Sequence, residues 1–186
     1  MQAETTRKLF TVDDYYRMAE VGILTPQDRV ELIEGEIVEM SPIGTRHAMT
    51  VNRASMIFAR GVGDRAVVAI QNPAHIDNYN EPQPEVVLIR PREGFYGTAH
   101  PAPEDVLLLI EVSETSLRFD RNVKLPIYAR SGVREVWIVD LNNAVVHMFR
   151  NPSERNYSDA TIKGRGKSIS LEAFPDFSVR VDELLG

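Results

Sequence analysis

The chain has 186 residues, of which 43% are hydrophobic and 26% charged, as is ordinary for a globular protein. Its 27 acidic and 21 basic residues give a net charge of −6, which argues against tight, sequence-independent binding to polyanions by a monomer. The chain has no apolar run of about 18 residues and no secretory signal in its polar first ten residues, so neither a membrane span nor export is expected. Because it has no cysteine, thiolate metal sites and disulfides are excluded and a cytoplasmic location is expected.

The first two thirds of the chain alternate between helical and strand patterns. Thr11, with Asp14 three residues later, predicts a capping box at the start of a short helix that ends near Gly22. Further predicted elements are strands at 30–33 and 36–40, a helix at 46–60, and strands at 65–70, 85–90 and 105–112. Residues 91–104 contain three prolines and two glycines and predict a long surface loop.

Strands dominate the last third of the chain. A helix at 120–131 carries Pro126, which removes one backbone hydrogen bond and should bend it. The remaining predicted elements are strands at 135–140, 144–149, 157–162 and 167–171, and a short helical turn at the end. The order of elements predicts an α/β or α+β fold, with a mixed central sheet flanked by helices and added C-terminal strands. A chain of this length is most simply one domain over residues 1–186.

The most informative stretch runs from Glu85 to Lys124. Glu85 opens one apolar strand, and Glu111 lies at the end of the next, which is apolar enough to be covered on both faces. Lys124 follows on the predicted helix. Carboxylates are hard oxygen ligands for Mg²⁺ or Mn²⁺, and an ammonium can stabilise charge on a phosphate. The three residues therefore predict a divalent metal site with an anion beside it, and we expect them to converge in one cleft.

Each of these residues also has an ordinary structural interpretation. Acidic residues at strand ends commonly face solvent, and Lys124 could pair with Asp120, four residues earlier on the helix. Burial favours the functional interpretation, because desolvating a carboxylate at the end of a central strand is costly without a partner. A metal ion or Lys124 would be such a partner for Glu111.

The same residues resemble a known family. The matching runs lie at 30–42, 81–91, 107–141 and 174–185, and together they span most of the chain. They resemble the PD-(D/E)XK nuclease superfamily, and more closely its Uma branch of restriction endonuclease-like proteins. The resemblance implies a restriction endonuclease-like core and a metal-dependent phosphodiesterase activity. It places Glu85 at the first acid of the superfamily motif and Glu111 at the second.

The chain departs from the usual motif at two positions. The first acid is commonly aspartate, whereas here it is Glu85, and a shift of the carboxylate on the ångström scale matters to catalysis. The usual lysine lies two residues after the second acid, where this chain has Ser113. The resemblance implies that the lysine has moved to the following helix, as Lys124.

The resemblance also implies further site residues. Glu31 becomes an additional carboxylate near the metal, although it can equally be one acid of an exposed hairpin whose turn is Glu34-Gly35. The backbone carbonyl of Val112 becomes a further metal ligand. His47, Ser113 and Gln83 are accessory candidates, and a lone histidine at the start of a helix is more often a hydrogen-bonding group.

Two functions therefore stay open. The first is an Mg²⁺- or Mn²⁺-dependent endonuclease that hydrolyses phosphodiester bonds in nucleic acid, most simply DNA, and acts as a homodimer to cut two strands. The second is a catalytically weak or inactive module that uses the same fold to bind DNA or protein. The acidic balance and Glu85 favour the second function, and the Glu111–Lys124 pair favours the first. Basic residues around and beyond Lys124 could meet phosphates: Arg118, Arg121, Arg130, Arg134, Lys163, Arg165 and Lys167.

Other chemistries find no support in the sequence. The chain contains no GxSxG elbow of an α/β-hydrolase and no glycine-rich nucleotide-binding loop of the P-loop or dinucleotide type. Its four histidines show no HExxH pattern and no i,i+4 pair, which argues against a zinc site.

Overall fold

The computed structural model describes residues 6–186. Residues 1–5 lie outside the described part, and with them the beginning of the polar segment from which the absence of a secretory signal is expected. No helix within residues 6–186 is both long and apolar enough to cross a membrane.

The chain begins with a helix and a small hairpin. Helix α1 (Val12–Glu20) has the predicted capping box, in which the Thr11 side chain and the Asp14 carboxylate each accept the other residue's backbone N–H. Strands β1 (Val30–Ile33) and β2 (Glu36–Glu39) pair antiparallel across a tight turn. All four residues of β1 are buried, whereas the residues of β2 are exposed or half-buried. The interpretation of β1 as an exposed acidic strand is therefore wrong.

A six-stranded mixed sheet forms the centre of the fold. After helix α2 (Thr45–Val62), its strands follow the chain order: β3 (Val67–Ile70), β4 (Val86–Ile89), β5 (Val106–Ser113), β6 (Glu135–Asp140), β7 (Val145–Pro152) and β8 (Tyr157–Gly164). Only β5 and β6 are parallel. A parallel pair needs a crossover connection, and the helical segment between them supplies it. The predicted mixed sheet flanked by helices is confirmed.

The helical crossover differs from the prediction. It starts at Leu117 rather than Asp120 and consists of α3 (Leu117–Phe119), a π-helical turn (Asp120–Lys124) and α4 (Leu125–Arg130). In the π turn, the Leu125 N–H donates to the Asp120 carbonyl, one residue farther than in an α-helix. Pro126 follows directly, has no N–H to donate, and would press on the carbonyl four residues earlier. The wider turn relieves that conflict and places Lys124 at its end.

The C-terminal segment adds a second hairpin and a helix. Strands β9 (Ser168–Leu171) and β10 (Phe174–Arg180) pair antiparallel, and α5 (Val181–Leu185) follows. The sequence predicted β9 and the final helical turn but not β10. This segment contributes Ile169, Val179 and Leu184 to the same core cluster as Phe58 of α2 and Trp137 of β6.

Each face of the sheet has its own hydrophobic core. On one face, residues of α2 and of the C-terminal segment pack against the strands. On the other face, Leu125, Ile127 and Tyr128 of α4 pack with Ile33 of β1. Strand β5 is therefore covered on both sides, as its apolar sequence predicted, and the carboxylate of Glu111 near its end is drawn inside the protein.

Candidate functional site

One cavity of about 520 Å³ gathers the acidic residues and the lysine that the sequence singled out. Glu31, Glu85, Glu111 and Lys124 all line it, together with His47 at the start of α2. Val112 lines it as well. The expectation that Glu85, Glu111 and Lys124 converge in one cleft is therefore confirmed. We call this space the site cavity.

Lys124 bridges two buried carboxylates. Its Nζ lies 3.0 Å from Glu31 Oε2 and 3.3 Å from Glu111 Oε1. Glu31 and Glu111 are each 3% exposed, and Lys124 is 5% exposed. Burial makes such a triad sensitive to the loss of any member, because an unpaired charge would be left out of water.

The alternative pairing of Lys124 with Asp120 on the helix is wrong. Asp120 is buried and its Oδ2 accepts hydrogen bonds from the hydroxyls of Ser113, at 2.7 Å, and Ser116, at 2.6 Å. Ser113, which stands where the usual motif has its lysine, thus ties the end of β5 to the crossover helix. It holds the segment that carries Lys124 in place and does not itself line the site cavity.

Glu111 is the most strongly perturbed acid of the site. Its Oε1 accepts a hydrogen bond of 2.7 Å from the hydroxyl of Tyr128 as well as one from Lys124. Burial raises the pKa of Glu111 to about 8, although the nearby Lys124 ammonium acts in the opposite direction. Burial alone would lower the pKa of Lys124, but Glu111 and Glu31 raise it, so the lysine is charged. One ammonium thus contacts two buried carboxyl groups, and burial keeps one of them, Glu111, largely protonated at neutral pH.

Glu85 lies in a different environment. Its Oε2 accepts a hydrogen bond of 2.9 Å from the Gln71 amide, and its Oε1 lies 2.9 Å from His47 Nε2. The histidine nitrogen is at ion-pair distance but is not aligned as a regular hydrogen bond. Burial opposes ionisation, yet His47 and Gln71 outweigh it and lower the pKa of Glu85. Two glutamates of one cavity thus have pKa values shifted in opposite directions, a pattern typical of functional sites.

Gln83 supports Glu31 from behind. Its backbone N–H donates to Glu31 Oε2 at 3.1 Å, and its side-chain amide donates to the Val30 carbonyl at 3.1 Å. The Gln83 side chain lines a neighbouring cavity and not the site cavity. Of the accessory candidates, only His47 therefore lines the site cavity, and Gln83 and Ser113 act as supports.

Two side chains that donate hydrogen bonds to the acidic residues of the site were not predicted from the sequence. Tyr128 lies four residues after Lys124, so the helical spacing that puts both on one face could have indicated it. Gln71 follows β3 and has a positive φ of 52°, and no sequence signal marks it as a partner of Glu85.

The oxygen atoms of the site are of the type that binds a hard divalent cation. Carboxylate and carbonyl oxygens are what Mg²⁺ and Mn²⁺ prefer. A cation would favour the ionised form of Glu111, which burial disfavours. Within residues 6–186, however, no group of three or more histidine, aspartate or glutamate side chains is already arranged to hold a metal ion. Lys124 lies between two of the candidate ligands, so a cation would have to take over its contacts.

In the metal-free protein, we expect the free energy of unfolding to decrease as the pH rises from about 4.5 to about 8. The pKa of Glu111 is 4.5 in the unfolded chain and about 8 in the folded protein. In this pH range the folded chain keeps a proton on Glu111 that the unfolded chain has already released. The stabilisation that Glu111 gives at lower pH is therefore lost as the pH rises through the range. Glu111→Gln should remove this contribution, and its free energy of unfolding should vary less with pH. Urea unfolding at a series of pH values, with a chelator present, measures this. Identical pH profiles for the two proteins would contradict the assignment.

The fold and the site cavity define a restriction endonuclease-like protein. The sequence profile of the Uma2 family, described as "Putative restriction endonuclease", matches residues 12–182. The chain belongs to this family, and membership supports its assignment to the nucleases.

A solved structure has the same fold. The crystal structure of a protein from Anabaena variabilis, titled a "putative nuclease belonging to DUF820", is similar to this chain with a TM-score of 0.72. The similarity covers 95% of this chain and 97% of that one at 14% sequence identity, a level that establishes the fold. A comparison with curated proteins finds no significant match.

Proposed function

We propose that the protein is a metal-dependent endonuclease that hydrolyses phosphodiester bonds of DNA. The observation that carries the proposal is the buried Lys124 ammonium between Glu31 and Glu111, in the cavity that also holds the ionised Glu85. Membership of a family described as putative restriction endonucleases supports the reaction class. The fold neighbour, titled a putative nuclease, agrees with it.

Mg²⁺ or Mn²⁺ would be held by Glu85, Glu111 and Glu31, with the carbonyl of Val112 as a further ligand. Such an ion polarises phosphate oxygens and makes water a better nucleophile at neutral pH. Its charge would also favour the ionised form of Glu111, whose pKa burial raises.

The residues of the chain have distinct tasks in this reaction. Lys124, freed from part of its pairing with the carboxylates, donates hydrogen bonds to a phosphate oxygen that gains charge in the transition state. Glu85, kept ionised by His47 and Gln71, accepts a proton from the attacking water. Water forms the new bond to phosphorus, and the bond from phosphorus to the leaving sugar oxygen breaks.

Because the net charge is −6, DNA would have to bind at a local group of basic residues and not to the surface as a whole. Arg118 and Arg121 are exposed on the helical crossover, and Arg134 is exposed just before β6. Arg130 is exposed too, but it is paired with Glu34 at 3.1 Å. These arginines are candidates for phosphate contacts. A homodimer of single-domain subunits in the cytoplasm would place two such sites on a duplex.

A second candidate function is a DNA- or protein-binding module with little or no catalysis. Lys124 already satisfies two carboxylates, and the described residues hold no ready-made cluster of three metal ligands. A protein that no longer cuts DNA could keep this triad for stability alone.

Incubation with supercoiled plasmid and with single-stranded DNA separates the two functions. We expect cleavage with Mg²⁺ or Mn²⁺ and none with a chelator. Glu85→Gln should lower the rate by about 10²–10⁴, the contribution that a positioned general base typically makes. Glu93→Gln, a change at an exposed loop acid, should cut like the wild type. Cleavage that survives in chelator or in Glu85→Gln would contradict the proposal, and binding without cleavage would favour the second function.

A further inference from the structure

A second cavity lies beside the site cavity and is lined by two tyrosines. It has a volume of about 610 Å³, within the range of roughly 300–1,000 Å³ that small-molecule sites occupy. Tyr15 and Tyr16 of α1 form part of its wall, with ring centroids 5.8 Å apart in an edge-to-face arrangement. We call it the tyrosine cavity.

The tyrosine cavity is continuous with the machinery of the site. Arg29 and Met40 line both cavities. Gln71 and Gln83, which line the tyrosine cavity, hold Glu85 and Glu31 through hydrogen bonds. A ligand in the tyrosine cavity therefore touches the residues that position the acids of the site cavity.

The wall of the tyrosine cavity is rich in hydrogen-bond acceptors. The Gln71 and Gln83 amides use their NH₂ groups on Glu85 and on the Val30 carbonyl, and within residues 6–186 neither amide oxygen accepts a hydrogen bond. The carboxylates of Asp28 and Glu81 also line the cavity, but Asp28 Oδ2 already accepts from Thr25, and the two oxygens of Glu81 already contact Tyr16 and His75. Beside the basic Arg29, the free amide oxygens of this wall suit a flat group that donates hydrogen bonds.

The aromatic part of the wall is held in a fixed orientation. The Tyr15 hydroxyl donates to the Val30 carbonyl at 3.0 Å, and the Tyr16 hydroxyl donates to Glu81. The Tyr16 ring already stacks on His100, with centroids 6.3 Å apart, and the residue remains 38% exposed, so part of the ring stays accessible. Fixed aromatic rings next to a phosphodiester site are a means of binding unstacked bases.

We propose that the tyrosine cavity binds an unpaired nucleobase that carries an exocyclic amino group (adenine, cytosine or guanine), from the strand whose phosphate lies in the site cavity. The inference rests on the proposed function, because it takes the base to belong to a nucleic-acid strand whose phosphate lies in the site cavity. Thymine has a single ring N–H donor and no amino group, so it pairs with fewer acceptors of the wall, and the unpaired acceptors disfavour its binding.

Binding of free nucleosides tests the inference without cleavage. Saturation-transfer NMR of the wild-type protein, in chelator, with deoxyadenosine, deoxycytidine and thymidine should show binding of the first two, with thymidine about tenfold weaker. Ala19→Trp places a large side chain at an exposed position that lines the cavity and should abolish nucleoside binding. Glu20→Trp, the neighbouring exposed residue of α1 that does not line the cavity, is the matched control and should bind like the wild type.

The outcomes separate this inference from the proposed function. If the wild-type protein binds thymidine as tightly as deoxyadenosine, the inference is overturned. This result does not depend on any variant. Undiminished binding by a folded Ala19→Trp protein would also overturn the inference. Selective nucleoside binding by a protein that cuts no DNA would support the tyrosine cavity and reject the nuclease. Metal-dependent cleavage without nucleoside binding would reject the tyrosine cavity alone.

Discussion

Glu111→Gln is expected to abolish Mn²⁺ binding and DNA cleavage together. Glutamine keeps the size of Glu111 and can still accept the hydrogen bonds from Tyr128 and Lys124, so the fold should persist. It lacks the negative charge that a divalent cation requires of a ligand at the end of β5. A loss of about 10²–10³ in rate is the least we expect, since removal of one electrostatic stabiliser has that effect elsewhere.

Calorimetry with Mn²⁺ and plasmid cleavage measure the two effects in the same preparations. Glu93→Gln again controls for the loss of a surface charge and should bind Mn²⁺ with unchanged affinity. Unchanged Mn²⁺ affinity in Glu111→Gln would remove Glu111 from the metal site. Lost cleavage with intact Mn²⁺ binding would give it a role other than that of a ligand.

The placement of Glu111 could be predicted from the sequence because the signal is local. An almost unbroken apolar run is typical of a strand covered on both faces, and an acid near its end must lie at the rim of the sheet or be buried with a partner. The structure has this strand as β5, with Glu111 3% exposed. Lys124 was predictable as well, since the helical crossover that carries it starts from the end of β5 where Glu111 lies.

The surroundings of Glu31 and Glu85 could not be predicted, because they depend on contacts between distant segments. Glu31 alternates with apolar neighbours like a residue on an exposed edge, yet Lys124 and the Gln83 backbone enclose it. The longer side chain of Glu85 looked like a departure from aspartate. In the structure it reaches Gln71 and His47, which lie 14 and 38 positions away in the sequence.

The π turn and β10 were missed for a different reason. Pro126 indicates an irregular helix, but whether the chain bends or widens depends on which solution lets Lys124 and Tyr128 meet Glu111. Strand β10 carries Pro175 and Asp176, both poor strand formers, and it is stabilised by pairing with β9 and by packing against α2.

Lys124→Met is expected to reduce cleavage by about 10²–10³ while the protein still folds. Methionine keeps much of the length of the lysine but cannot donate to a phosphate oxygen. Unlike the loss of a surface helix pair, the change removes the ammonium that contacts the buried Glu31 carboxylate, so stability at neutral pH should fall by about 3–5 kcal/mol. Denaturant unfolding and single-turnover cleavage, both well below the melting temperature of the variant, measure the two effects.

The double variant Glu31→Gln/Lys124→Met separates stability from catalysis. Neutralising one of the two carboxylates that Lys124 bridges should recover part of the lost stability, because fewer buried charges then lack a partner. Cleavage should stay as low as in the single variant, since the missing ammonium is not replaced. If cleavage returns with stability, Lys124 is a structural residue. If Lys124→Met cuts as well as the wild type at matched stability, the lysine has no part in the reaction.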